Sequence, residues 1–192
     1  PETELLVDAV LPHLRMLHEA RIVDLCAGSG ALALAVASEL TAARVIAVER
    51  SGSALRWLGE NIAAVDIGDS EVRVLGGDLR DPELLMPLRG RADAVVSNPP
   101  YVPATADVSP EVLADPDEAV FAGPDGLDLV PTVVRRAADL LKAGGVFALE
   151  HDETHADAVA GVFRDDGRWT GVETRADLAG RPRYTVAVRS TG

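Results

Sequence analysis

An α/β fold built on a mostly parallel sheet is what this chain predicts, and three observations carry it. Short apolar runs alternate with helical patterns through the first 150 residues, the pattern of a parallel sheet with right-handed crossovers. The first run leads through a glycine-containing turn into an Ala/Leu-rich helix. The last two runs have no helix between them, so they pair antiparallel at one edge. The sum is a Rossmann-like, seven-stranded sheet with helices on both faces and an antiparallel edge hairpin.

Each element has its own signal. Leu5, Leu6, Ala9, Val10, Leu14 and Leu17 recur at helical spacing and predict a helix over Thr3–Glu19. Thr3 is its candidate cap and Pro12 a candidate bend. RIVDLC (Arg21–Cys26) is a short buried strand, followed by AGSG and the helix ALALAVASEL. RVIAVER (Arg44–Arg50) is the second strand, SALRWLGENIAA the second helix of the alternation, and EVRVL (Glu71–Leu75) the third strand with GGDLRD as its exit. DAVVS is the fourth strand. A loop rich in Pro, Asp and Gly then runs from Asn98 to about Asp125, and loops of that length inside one domain are usually functional or mobile. A helix over Leu127–Lys142 ends at Gly144 and Gly145. GVFALEH is the fifth strand, Glu153–Arg164 a polar helix, and WTGVETRAD and RYTVAVRS the closing hairpin.

Bulk properties exclude several classes. The 192 residues suit one domain, taken as residues 1–192, with 47% hydrophobic and 26% charged residues. A net charge of −13 argues against stable nucleic-acid binding, which needs clustered Lys and Arg. It leaves room for a basic protein partner. The one cysteine, Cys26, allows no internal disulfide and fits a reducing compartment; a cytoplasmic protein is the expectation. No apolar run is long enough for a membrane span and no signal peptide is visible. The chain opens at Pro1 rather than Met, so a partial chain is expected.

Chemistry concentrates at the strand exits. Gly28 and Gly30 let backbone approach a ligand closely, and the helix that follows offers free N–H groups. The spacing is neither a dinucleotide fingerprint nor a P-loop. The second strand ends in Glu49, an acid able to accept from both ribose hydroxyls. Asp78 follows the third strand, within reach of an adenine amine. Taken singly, the glycines make a tight turn and each acid is a solvated loop residue or cap. Taken together, at the ends of three consecutive strands, they describe a nucleoside site whose attached group bears no phosphate. S-adenosylmethionine, a nucleoside carrying a cationic sulfonium, fits an acidic pocket of that kind.

The fourth strand leaves the core through SNPPYVP (Ser97–Pro103). The Asn98 side-chain oxygen and the Pro99 carbonyl are both acceptors, held in place by rigid prolines. Such a pair can grip both hydrogens of one planar NH₂ group, and Tyr101 can pack on its flat face. Holding those hydrogens orients a poorly nucleophilic, conjugated nitrogen and favours charge build-up on it. The motif specifies the NH₂ and leaves its owner open. Its plainer alternative is a Pro-rich turn.

The ordered series PETELLVDAV, DLCAGSGALALAVA, VER, GGDL, DAVVSNPPYVP, EVLADPDEAVFAGPDGLD, LKAGGVFALEH and DLAGRPRYTVA resembles the class I protein-glutamine methyltransferases that modify peptide-chain release factors. NPPY is shared with amino-methylating DNA enzymes; the PETE opening and the GPDGLD loop are more specific. The resemblance implies a class I methyltransferase fold and methylation of the Gln side-chain nitrogen in a Gly-Gly-Gln tripeptide, with S-adenosylmethionine as donor. It implies that Cys26, Ala27, Gly28, Ser29 and Gly30 bind the cofactor, that Glu49 holds the ribose, and that Asp78 and Leu79 flank the adenine. Asn98, Pro99, Pro100 and Tyr101 would take the glutamine amide, with Asn98, Pro99 and Tyr101 as the catalytic group and Asn98 also beside the cofactor. The partner is then a release factor. Alternatives that keep the cofactor are a glutamine of another protein, such as a ribosomal protein, or the exocyclic amine of adenine; a non-catalytic cofactor-binding scaffold is the reading from another class.

Three departures accompany the resemblance. The family usually has Gly where this chain has Cys26, and a cysteine there is expected at negative φ, stiffening the loop. Leu79 stands where an aromatic residue is common. The family's helical N-terminal docking domain is expected to be absent from this chain. His13, His18, His151 and His155 lack metal spacing and read as surface or helix-face residues, so no metal is expected. Trp57 reads as core. The acidic stretch Asp107–Glu118 reads as a solvated loop, or as a face for a basic partner.

Overall fold

The computed structural model describes residues 2–102 and 123–192. Helix α1 (Glu2–Leu14) precedes β1 (Ala20–Leu25), α2 (Ala31–Ser38), β2 (Ala43–Glu49), α3 (Gly52–Ala64), β3 (Glu71–Gly76) and β4 (Ala92–Ser97). After residues 98–129 come α4 (Val130–Leu140), β5 (Leu141–Glu150), α5 (Ala156–Asp166), β6 (Trp169–Ala176) and β7 (Pro182–Arg189). The strands form one seven-stranded sheet in the order β3-β2-β1-β4-β5-β7-β6. The pairs among β1 to β5 are parallel, whereas β7 runs antiparallel to both β5 and β6.

Alternating residues of the strands feed two apolar layers. On one face Leu6, Val10 and Leu14 of α1, Val36 of α2 and Leu58 of α3 pack on Ile22, Val45 and Val96. On the other, Val133 and Val134 of α4 and Val159 and Phe163 of α5 pack on Val23, Val95, Phe147 and Leu149. Phe147, Phe163 and Trp169 close that second layer with ring centroids 5.2–5.6 Å apart. Strand order reverses between β1 and β4, and a crevice opens above the carboxyl ends at such a switch point.

Several boundaries differ from the sequence expectation. Helix α1 begins at Glu2, so Thr3 lies within it and is no cap. It stops at Leu14 because Arg15–Glu19 are all exposed and bury no face; Leu17 is 39% exposed. Pro12 is accommodated inside the helix. Helix α4 ends at Leu140, well before the glycines, because Leu141 turns extended and pairs with Ala92. Gly144 and Gly145 therefore lie within β5. Trp57 is 53% exposed and outside the core. The inward face of α3 carries Leu55, Leu58 and Ile62 at three- and four-residue spacing, and Trp57 falls off that stripe. His151 and His155 are buried, not surface residues. His151 Nε2 lies 3.0 Å from Thr185 Oγ1 and Nδ1 lies 2.9 Å from the Asp152 carbonyl. His13 and His18 are exposed as expected. Most of the stretch from Asn98 to Asp125 that the sequence predicts as a loop, with Pro103 and Asp107–Glu118, lies outside the described residues.

Candidate active site

An open cleft sits above the carboxyl ends of β1 to β4. Cys26, Gly28, Glu49, Asp78, Leu79, Asn98 and Pro100 all line it. The structure therefore brings the glycine loop, both acids and the NPPY segment to one cavity. Ala27, Ser29, Gly30, Pro99 and Tyr101 are not among its walls.

The glycine loop is built by short backbone bonds and by two contacts from α3. Ala27 N–H donates to the Val48 carbonyl at 3.0 Å, and Gly30 N–H to the Ala27 carbonyl at 2.8 Å. Asn61 Nδ2 donates to the Ser29 carbonyl at 2.9 Å. Gly30 stands at φ 90, and a Cβ there would overlap the buried Leu58 side chain. Only glycine satisfies that approach.

Cys26 corrects the expectation of negative φ: it stands at φ 64, the one described non-glycine residue at positive φ. The strand-to-helix turn imposes that conformation, and a side chain there costs about 1–2 kcal/mol relative to glycine. The loop thus carries strain where the family's Gly would carry none. Burial, reinforced by the neighbouring Glu49 and Asp24 carboxylates, pushes the Cys26 thiol well above its ordinary range, so it is no nucleophile at neutral pH.

Glu49 is held by backbone alone. Its Oε2 accepts from Gly28 N–H at 2.9 Å, and its Oε1 from Arg50 and Ser51 N–H at 2.8 and 2.7 Å. The side chain ties the glycine loop to the end of β2 and presents a fixed carboxylate to the cleft. Asp78 Oδ1 accepts from Arg80 N–H at 2.8 Å, and Oδ2 lies 3.6 Å from both the Arg50 and Arg80 guanidiniums. Those contacts, the Arg80 N–H first, hold its carboxyl below the usual range. Leu79 is anchored from behind, where buried Arg136 donates from Nε to its carbonyl at 2.8 Å.

The NPPY end of the cleft is fixed by longer reaches. Ser97 Oγ donates to the Leu25 carbonyl at 2.6 Å, pinning the exit of β4 to that of β1. Asn98 and Pro100 are half-buried in the cleft wall, while Pro99 is buried. The Tyr101 hydroxyl points to Glu150 Oε1 at 3.4 Å.

Sequence reasoning passed over Arg50, Arg80 and Leu129, which also line the cleft. The two arginines were readable, one directly after Glu49 and one two residues after Asp78. Asp24 was passed over as well. It is fully buried at the end of β1, one oxygen accepting from Ala33 N–H at 3.0 Å and Oδ1 without a partner among the described residues. Burial, opposed by that N–H and aided by Glu49, pushes its pKa up to about 8. Among the described residues no group of three or more His, Cys, Asp or Glu side chains is arranged to hold a metal ion.

The methyltransferase small domain family matches residues 2–119. The release factor glutamine methyltransferase of Mycolicibacterium smegmatis is 45% identical over 98% of this chain and 66% of its own length. That of Bifidobacterium longum is 39% identical over 98% of this chain and 67% of its own. The chain thus spans about two thirds of the length of these curated relatives. Among solved structures, a predicted O-methyltransferase from Agrobacterium tumefaciens superposes with a TM-score of 0.67 at 19% identity, over 96% of this chain and 79% of that one. At that identity the likeness speaks for the fold.

Proposed function

We propose, for a chain that belongs to the release factor glutamine methyltransferase family and carries its methyltransferase small domain, transfer of a methyl group from S-adenosylmethionine to the side-chain amide nitrogen of a protein glutamine. The acceptor is the Gln of the Gly-Gly-Gln tripeptide of a peptide-chain release factor. One observation carries the reading: Asn98 and Pro100 line the same cleft as Gly28 and Glu49. A planar amide held at Asn98 faces whatever is held at Gly28 and Glu49.

The residues present fit the donor. Glu49 Oε2 accepts one backbone bond while Oε1 accepts two, which leaves Oε2 a lone pair for a ribose hydroxyl. The Glu49 carboxylate gives the loop's surroundings a negative charge, which suits a cationic sulfonium and disfavours a pyrophosphate. Cys26 to Gly30 would cradle the donor, Asp78 would accept from the adenine amine, and Leu79 would pack on its ring. S-adenosylmethionine supplies an electrophilic methyl group when bound.

The chain's own residues do the rest by orientation. Asn98 Oδ1 and the Pro99 carbonyl accept the two amide hydrogens and aim the nitrogen along the cleft. Their partial negative charge favours the positive charge that develops on that nitrogen. The methylated amide is acidic enough to lose its proton to solvent, so no general base is required. Tyr101 packs against the amide face. In this reading residues 1–192 act as the catalytic domain, and the family's helical docking domain is taken to lie outside them; the greater length of the relatives supports this. A release-factor acceptor also implies a cytoplasmic protein. No helix among the described residues is long and apolar enough to cross a membrane.

The test is transfer of labelled methyl from S-adenosylmethionine to a purified release factor, beside its Gln→Ala variant in Gly-Gly-Gln and a duplex DNA. Label on the unaltered factor alone is expected. Label on the DNA, or equal label on both factors, would overturn the acceptor assignment.

A further inference from the structure

We propose that Gly126, in the GPDGLD turn, is a positioning residue for the acceptor clamp, a role that rests on the reading just given. Gly126 stands at φ 78, in left-handed backbone. A Cβ added to it would overlap the Tyr101 carbonyl oxygen and lie 3.0 Å from the Tyr101 carbonyl carbon. It would also lie 2.9 Å from Cε1 of buried His155. The turn therefore packs backbone against backbone on the last residue of NPPY, from 25 positions further along the chain, and only a residue without a side chain can do so.

The same turn reaches the donor side. Asp125 Oδ1 accepts from Leu127 N–H at 3.0 Å, Val130 N–H bonds the Leu127 carbonyl at 3.0 Å, and Leu129 lines the cleft. One short segment thus abuts the clamp through Gly126 and walls the cofactor cleft through Leu129. His155 backs it from the start of α5, its ring edge against Gly126. The obstruction above Gly126 is main chain, which cannot rotate away as a side-chain tip can. A methyl group there must push Tyr101, and with it the rigid Pro99–Pro100 unit that sets the Asn98 and Pro99 acceptors.

Gly123 supplies a matched control. It lies in the same turn at φ 76, yet the described atoms nearest its added Cβ belong to the Asp128 carboxylate, a side chain that can rotate away. Gly126→Ala is expected to lower kcat for release-factor methylation about 100-fold, as a displacement of about 1 Å does at an orienting site. Donor affinity by calorimetry stays within about twofold, while Gly123→Ala keeps kcat within about twofold. The chain has two tyrosines, Tyr101 and Tyr184. Fluorotyrosine labelling therefore gives two ¹⁹F signals, assigned with Tyr101→Phe. Gly126→Ala should move the Tyr101 signal and leave that of Tyr184, which also reports an intact fold; Gly123→Ala should move neither.

Wild-type kcat in Gly126→Ala, equal losses in both variants, or an unmoved Tyr101 signal would overturn the role. No transfer by the unaltered enzyme would instead sink the functional reading, and the fluorine spectra would still decide whether Gly126 sets Tyr101.

Discussion

The two halves of the cleft are made in different ways. The donor half is centred on one carboxylate: Glu49 takes N–H bonds from Arg50 and Ser51 beside it and from Gly28 one strand away. The acceptor half is a stiff segment whose posture is set from afar. Ser97 reaches 72 residues back to Leu25, the Tyr101 hydroxyl reaches 49 residues on to Glu150, and Gly126 abuts the Tyr101 carbonyl. The difference teaches that damage to the two halves should be read in different constants. Donor-half changes alter affinity for S-adenosylmethionine, and acceptor-half changes alter turnover at saturation.

The largest effect is expected at Asn98. Asn98→Ala removes one of the two acceptors proposed to hold the amide, and kcat should fall about 10²–10³-fold, the scale of losing one preorganised polar contact to developing charge. Donor affinity should change by less than about tenfold, since the side chain is one of several groups in the cleft wall. Single-turnover transfer and calorimetry check the two numbers. Equal losses in both would break the division between the halves.

Next comes Glu49→Ala, the mirror experiment. It removes the proposed ribose acceptor and frees three backbone N–H groups at once. Donor Kd should rise roughly 10–100-fold, as expected for lost bonds to a charged group, with most of kcat recovered at saturating donor. A loss of kcat that saturation does not restore would show that the glycine loop also sets the methyl's aim.

The same division explains what could be read from the sequence. Strand order, the hairpin and the donor residues follow from contiguous patterns: apolar runs, a glycine pair, an acid at a strand exit. Glu49, Asp78 and Asn98 were placed in one cavity by topology alone. What was not legible depends on three dimensions. The positive φ of Cys26 comes from the turn that β1 and α2 impose together. The burial of His151 depends on Thr185, 34 residues on, and that of Asp24 on α2 folding back over β1. The premature end of α4 is a strand-pairing decision between Leu141 and Ala92, invisible to helix propensity. Trp57 shows the converse, an apolar residue one position off the buried stripe of α3.

An effect on stability rather than turnover separates Asp24 from the acids of the surface. Its carboxyl ordinarily titrates at 3.8 and in the folded chain at about 8. Between those values the folded state holds a proton that the unfolded state has released. Stability therefore falls as pH rises through that window and levels off above it, by up to about 1.4 kcal/mol per pH unit from this one group. Asp24→Asn keeps an acceptor for Ala33 N–H and removes the titration. Urea midpoints measured at intervals from pH 5 to 8 should fall less steeply in the variant. Parallel curves would show that Asp24 is ionised in the fold throughout.

The smallest expected effect is a gain. Cys26 occupies left-handed backbone that the loop demands and its side chain resists. Cys26→Gly removes the strain, offset in part by the extra chain freedom of glycine in the unfolded state and by lost burial of the thiol. A net stabilisation of about 1 kcal/mol should raise Tm about 2–4 °C for a chain of this size. Cys26→Ala retains a Cβ and the strain, so its Tm should not rise. Donor affinity should hold or improve in the glycine variant, because Gly28 N–H and Glu49 stay bonded and the loop relaxes in place. Equal melting of the glycine and alanine variants would show that the donor half carries no strain at this position, and that the thiol's burial rather than its backbone decides its stability.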